Sequence, residues 1–151
     1  MAPDIMAERT PLEFALDIPF VQALGMQLWR FDSGIAEVSL DVRPEMQNSW
    51  AVAHGGVVMT LLDVVMAHAA RSVRDATEFG TPGIVTVEMK TSFMRPATGR
   101  LMATGRLLHG TRGMAFCEGS VHDAGGVLCA HATGTFKLLG KLKRGDEAAA
   151  S

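Results

Sequence analysis

The sequence lacks most features that would bind it to membranes or polyanions. Among its 151 residues, no apolar run reaches the roughly 18 uninterrupted positions that a spanning helix needs, so no membrane partner is expected. The formal net charge is −2, which gives no general attraction for nucleic acid or anionic lipid. The opening MAPDIMAERT has no basic-then-apolar signal pattern. There are two cysteines, Cys117 and Cys129, both in strand-like sequence. They read as reduced core residues of a cytoplasmic protein. No glycine-rich phosphate loop follows a strand, and no serine nucleophile elbow is present. Cys129 and His131 share a strand face, but two ligands do not make a metal site, so no metal is expected. Internal repeats and a second domain are also missing.

Apolar sequence is plentiful. Hydrophobic residues make up 48% of the chain and the mean hydropathy is +0.18. One domain of this size can bury a sizeable core. The surplus points to subunit contacts, hence a homo-oligomer. The domain is expected over residues 11–140, with flexible termini at 1–10 and 141–151. The tail KLKRGDEAAAS is charged and alanine-rich, as disordered segments are.

The most informative stretch is NSWAVAHGGVVMTLLD, from Asn48 to Asp63. A polar approach leads to His54-Gly55-Gly56 and then to a helix expected from about Gly55 to about Val73. Apolar residues fall on every side of it, which predicts a helix buried all round. Asp63 sits in its middle, where a carboxylate carries a desolvation cost unless it is paired or used. Gly55 and Gly56 lie at the helix start, where N–H groups lack partners and the dipole is positive. One stretch thus offers an oxyanion-type donor and a carboxylate.

The two groups do not reach one carbonyl within a single chain. Gly55 and Asp63 are eight residues apart in sequence, roughly 12 Å along a helix axis. If both take part in one reaction, they come from two antiparallel copies of the helix. A two-fold axis would then make two such sites.

The remaining elements follow from pattern. A short helix is expected within Pro11 to Leu24, with Asp17 as its cap, Pro19 in its first turn and Gly25 ending it. Met26 to Phe31 and Ile35 to Val42 read as strands around an Asp32-Ser33-Gly34 turn. After the helix, residues 74–82 form a polar loop broken by Gly80 and Pro82. Then come strands at Val85 to Phe93, Leu101 to Leu108, Met114 to His122 and Val127 to Lys137. In the first of these, Val85, Val87, Met89, Thr91 and Phe93 share one face, with Thr86, Glu88 and Lys90 on the other. The sum is an α+β fold, an antiparallel sheet curled round one central helix.

Asn48, then His54-Gly55-Gly56, then Asp63 resembles the hotdog-fold thioesterases, in particular the phenylacetyl-CoA type. The downstream GIVTVEMKTSFMRPATG is similar to the same family's segment after the helix. The resemblance covers roughly residues 20–138. It implies the hotdog fold, dimers or tetramers, and hydrolysis of an acyl-CoA thioester with no cofactor beyond the coenzyme A of the substrate. By position, Gly55 would polarise the carbonyl through its N–H and Asn48 would add a side-chain donor. Asp63 and Thr86 of the partner would act as base or nucleophile and as water-positioning hydroxyl. Thr86 stands where related enzymes often carry serine.

The chemistry also stands without the family. A thioester carbonyl develops negative charge during attack, and pre-aimed N–H donors lower that barrier. A carboxylate serves either as base toward water or as direct nucleophile. Plainer readings stand beside these. Asp63 also fits a structural carboxylate, the two glycines a tight helix entry, Asn48 a turn cap, and Thr86 a solvated threonine. Nine residues put His54 and Asp63 on opposite sides of a helix, so His54 reads as an orienter of the loop. His68 lies about 140° from Asp63 and is no obvious partner. Lys90, Arg95 and Arg112 are candidates for the coenzyme A phosphates or plain surface charges, with Gly56 and His54 as further substrate contacts. Trp50 and Phe79 are candidate acyl contacts. A hotdog acyl-CoA dehydratase and a non-catalytic acyl-CoA-binding module are the competing functions. The acid after HGG and the missing proline-rich His motif disfavour the first, and Asp63 has no use in the second.

Overall fold

One long helix lies against all six strands of an antiparallel sheet. The computed structural model describes residues 8–74 and 82–141. In chain order the elements are α1 (Pro19–Leu24), β1 (Gln27–Asp32), β2 (Ile35–Asp41), α2 (Gly55–Arg71), β3 (Pro82–Phe93), β4 (Arg100–Gly110), β5 (Met114–His122) and β6 (Leu128–Lys141). The sheet order is β1-β2-β4-β5-β6-β3, so α2 carries the chain from β2 across the sheet to the far edge. Among the described residues no helix is long and apolar enough to cross a membrane.

Local chemistry accounts for the turns. Ser33 and Gly34 have φ of 52° and 78°, the two positive angles of a type I′ hairpin between β1 and β2. Gly25 ends α1 in the left-handed region. The residue before α1 is Ile18, with no side-chain cap. Asp17 instead accepts from the Gln22 side chain at 2.7 Å, so it does not cap the helix as expected. Arg9, inside the segment expected to be frayed, donates to the Trp29 carbonyl at 2.6 Å and pairs with Glu37. The remaining segments expected to be flexible, residues 1–7 and 142–151, lie outside the described residues, as does Phe79.

The core sits between α2 and the sheet. Leu61, Leu62, Val65 and Met66 of the helix are fully buried against Leu101, Val121 and Phe136. The closest approach is at Gly105 of β4, where an added Cβ would stand 2.4 Å from the Val65 carbonyl oxygen. Only glycine lets the helix backbone come that near.

Two features differ from expectation and both shape the site. First, α2 is not buried all round. Gly56, Met59, Thr60, Asp63, Val64 and Ala67 keep partial exposure and form one stripe at three- and four-residue spacing. The sheet covers the other faces, and among the described residues nothing covers this one. Second, β3 carries a bulge. Its pairing with β6 skips from Thr86 opposite Phe136 to Glu88 opposite Thr135, leaving Val87 as the extra residue. The alternation therefore changes phase. Thr86 shares the helix-facing side with Ile84, Met89, Thr91 and Phe93, while Val85 is turned outward.

Candidate active site

The site is built where the loop after β2 enters α2. Backbone bonds hold this loop at both ends, from His54 N–H to the Met46 carbonyl and from Ala53 N–H to the Ala97 carbonyl, each 2.8 Å. Asn48 organises its centre. The Oδ1 atom accepts from the N–H of Trp50 at 2.9 Å and of Val52 at 3.4 Å. Asn48 thus does cap a turn, and the same contacts fix its amide. With Oδ1 held by the loop, the Nδ2 donors are turned the other way. Asn48 and Gly55 line one cleft of about 380 Å³.

The helix start is nearly satisfied. His54 is the N-cap, and its Nδ1 accepts from Gly56 N–H at 2.9 Å. The ring proton of the neutral side chain is therefore on Nε2. Val57 and Val58 N–H groups both reach the His54 carbonyl. Among the described residues, Gly55 N–H has no such partner, and it is the one donor of the first turn left open to the cleft. Gly56, expected as a substrate contact, has its N–H committed to His54 instead.

Two turns along the same helix stands the acid. Thr86 Oγ1 donates to Asp63 Oδ1 at 2.5 Å, a bond across from β3 to α2. Oδ2 has no hydrogen-bond partner among the described residues. Asp63 is half-buried, on the open stripe of α2. Its rise above Gly55 of roughly 12 Å keeps the acid and the free N–H apart within one chain.

Residues 51–130 match the family model described as the Thioesterase superfamily, more than half of the chain. The chain belongs to that superfamily. It is a thioester hydrolase with the α+β hotdog architecture expected from its sequence. A medium/long-chain acyl-CoA thioesterase of Escherichia coli K12, YigI, is 29% identical over 138 residues, covering 83% of this chain and 88% of its own. The Salmonella typhimurium protein of the same name is 28% identical over the same length. The conserved protein PA5202 of Pseudomonas aeruginosa superposes with a TM-score of 0.73 at 29% identity, covering 82% of this chain and 95% of its own. The Escherichia coli PaaI protein from the phenylacetic acid degradation operon gives 0.73 at 23% identity, with 82% and 86% covered, a likeness of fold.

The basic candidates of this thioesterase separate in space. Arg95 lines the cleft and anchors itself through Nη1 to the Leu128 carbonyl at 3.0 Å. Lys90 pairs with Thr133 on the outer side of β3, away from α2. Arg112 belongs to a groove beside Ala70, Val73 and Arg74 at the other end of the helix. That is roughly 25 Å from the helix start, so neither Lys90 nor Arg112 joins the cleft of its own chain. Trp50 is 83% exposed beside Asn48, while the other tryptophan, Trp29, is buried and donates to Ser39.

Phe93 was not legible as a site residue. Its ring carbons Cζ and Cε1 stand 3.4 and 3.6 Å from where a Cβ on Gly55 would be. No sequence signal marks the contact, because it depends on β3 ending beside the start of α2. His68 faces away from the site, as its helical position predicts. It is edge-on to Phe14 and Phe31, with Nδ1 2.7 Å from the Val64 carbonyl. Burial lowers its pKa to about 4.

Proposed function

We propose that this thioesterase hydrolyses acyl-CoA thioesters of medium or long chain at two equivalent sites in a homodimer. Each site takes the Gly55 N–H and Asn48 Nδ2 donors from one subunit and the Asp63–Thr86 pair from the other. The observation that carries the reading is the free Gly55 N–H in a cleft it lines with Asn48, with a hydroxyl-held carboxylate on the open stripe of the same helix. The names of the Escherichia coli and Salmonella typhimurium relatives support the acyl class.

In this mechanism the thioester carbonyl oxygen accepts from Gly55 N–H and Asn48 Nδ2. Those donors hold the charge that grows on it. Asp63 Oδ2 takes a proton from water as the water oxygen bonds to the carbonyl carbon. Collapse of the tetrahedral adduct breaks the carbon–sulfur bond, and the coenzyme A thiolate leaves to be protonated. In this reading Arg95, which lines the cleft, meets a phosphate of the coenzyme. The stripe from Gly56 to Ala67 suits an antiparallel copy of itself, since its residues are small or apolar around one acid.

Free-thiol release from straight-chain acyl-CoAs tests the activity, run beside Asp63→Ala. Turnover by the natural chain and loss of about a thousandfold or more in the variant are expected. Full activity in Asp63→Ala overturns the assignment. Repeated turnover in water labelled with ¹⁸O separates the base from direct attack. A base leaves the Asp63 carboxyl unlabelled, whereas an anhydride opened by water at the Asp63 carbonyl labels it.

A further inference from the structure

We infer that Phe93 restricts the cleft to acyl groups unbranched next to the carbonyl. The inference rests on the proposed acyl-CoA chemistry and goes beyond it to the shape of the acyl group. Phe93 is the last residue of β3 and pairs with Ala130, on the helix-facing side. The bulge at Val87 sets that phase, since without it the strand would turn Phe93 or Thr86 away from α2. The ring lies on the side of Gly55 that a side chain would take, its Cζ 3.4 Å from where a Cβ there would stand. Yet 54% of Phe93 remains exposed, so part of the ring is open in the cleft it lines.

A carbonyl oxygen bonded to Gly55 N–H has two substituents, sulfur and the first acyl carbon. Both leave the carbonyl carbon inside the cleft that Phe93 lines together with Gly55. A methylene chain slides along such a face. A methyl or aryl branch on the first acyl carbon needs the space that the ring takes. Val58, Met94 and Ala97 of the same cleft wall are apolar and offer a linear chain dispersion contact along its length. Phe93 makes no hydrogen bond and carries no proton, so its effect is on which acyl group fits.

The test compares kcat/KM for decanoyl-CoA and 2-methyldecanoyl-CoA in the natural chain, Phe93→Ala and Phe93→Leu. The natural chain is expected to prefer the straight substrate by about tenfold or more, the scale of one misplaced methyl in a shaped pocket. Phe93→Ala is expected to shrink that preference by about tenfold, mainly by raising the branched rate. Phe93→Leu moves it the same way by less, and carries the test if the alanine variant does not fold. An unchanged ratio in the variants, or an equal loss on both substrates, overturns the role of Phe93 and leaves the thioesterase reading intact. Release of thiol from neither substrate by the natural chain overturns both.

Discussion

Thr86 and Asp63 are 23 residues apart in sequence, and Thr86 Oγ1 donates to Asp63 Oδ1 at 2.5 Å between β3 and α2. The bulge at Val87 makes this possible, because it brings Thr86 to the helix side while Met89, Thr91 and Phe93 stay there too. A carboxylate in the middle of an apolar helix thereby gains a donor from its own chain.

Removing that donor tests its part in the reaction. Thr86→Val keeps the shape and loses the hydroxyl. A hydrogen bond to a charged group contributes about 1.5–3 kcal/mol, so kcat is expected to fall by about tenfold to a hundredfold. Thr86→Ser restores the donor and most of the rate. Equal activity in the valine and serine variants would leave the hydroxyl without a role.

The capping of α2 separates two roles for His54. If the ring serves to accept Gly56 N–H, His54→Asn supplies another acceptor and keeps both fold and rate. His54→Ala is expected to lose about 1 kcal/mol of stability in urea. A rate that collapses in His54→Asn while the fold is intact would mark the imidazole as a proton carrier instead.

Much of this arrangement could be read from the chain. The long helix, the hairpins and the strands at Leu101 and Met114 follow from period and turn residues, and each strand falls within a few residues of its expected place. Asn48, Gly55 and Asp63 were singled out by spacing and family resemblance, and the structure sets Asn48 and Gly55 in one cleft. What escaped depends on tertiary contact. The Val87 bulge is invisible because Val85, Val87 and Met89 alternate as an unbroken strand would. The half-open stripe of α2 looks buried in sequence, since small apolar residues suit a sheet and a second helix equally. Lys90 and Arg112 were grouped with Arg95 on charge alone, which says nothing about which end or face they occupy.

Acid sensitivity follows from His68. Its neutral ring is buried between Phe14 and Phe31, and its pKa falls from 6.5 to about 4. On acidification the unfolded chain binds this proton first. The stabilisation is therefore complete above the unfolded value and is lost as pH drops from 6.5 toward 4, about 3 kcal/mol in all. Urea midpoints taken across that range are expected to fall, and His68→Leu to flatten the fall. An equal slope in the variant would place the acid sensitivity elsewhere.

Antiparallel pairing of α2 also fixes a register. If Gly55 of one helix lies beside Asp63 of the other, the two-fold axis passes near Met59, midway between them. Met59→Cys is expected to cross-link to its own copy under mild oxidation, with Ala67→Cys linking far less. Both natural cysteines, Cys117 and Cys129, are buried and free. The reverse preference would mean another interface.

The most direct measurement mixes two inactive variants. Asn48→Ala and Asp63→Ala each disable both sites of their own homodimer. When the two chains are co-refolded and pair at random, half of the dimers are mixed, and each carries one site with both wild-type halves. About a quarter of the natural rate should return if the site is shared. If no activity returns although mixed dimers form, Asn48 and Asp63 work within one chain, and the shared site is wrong.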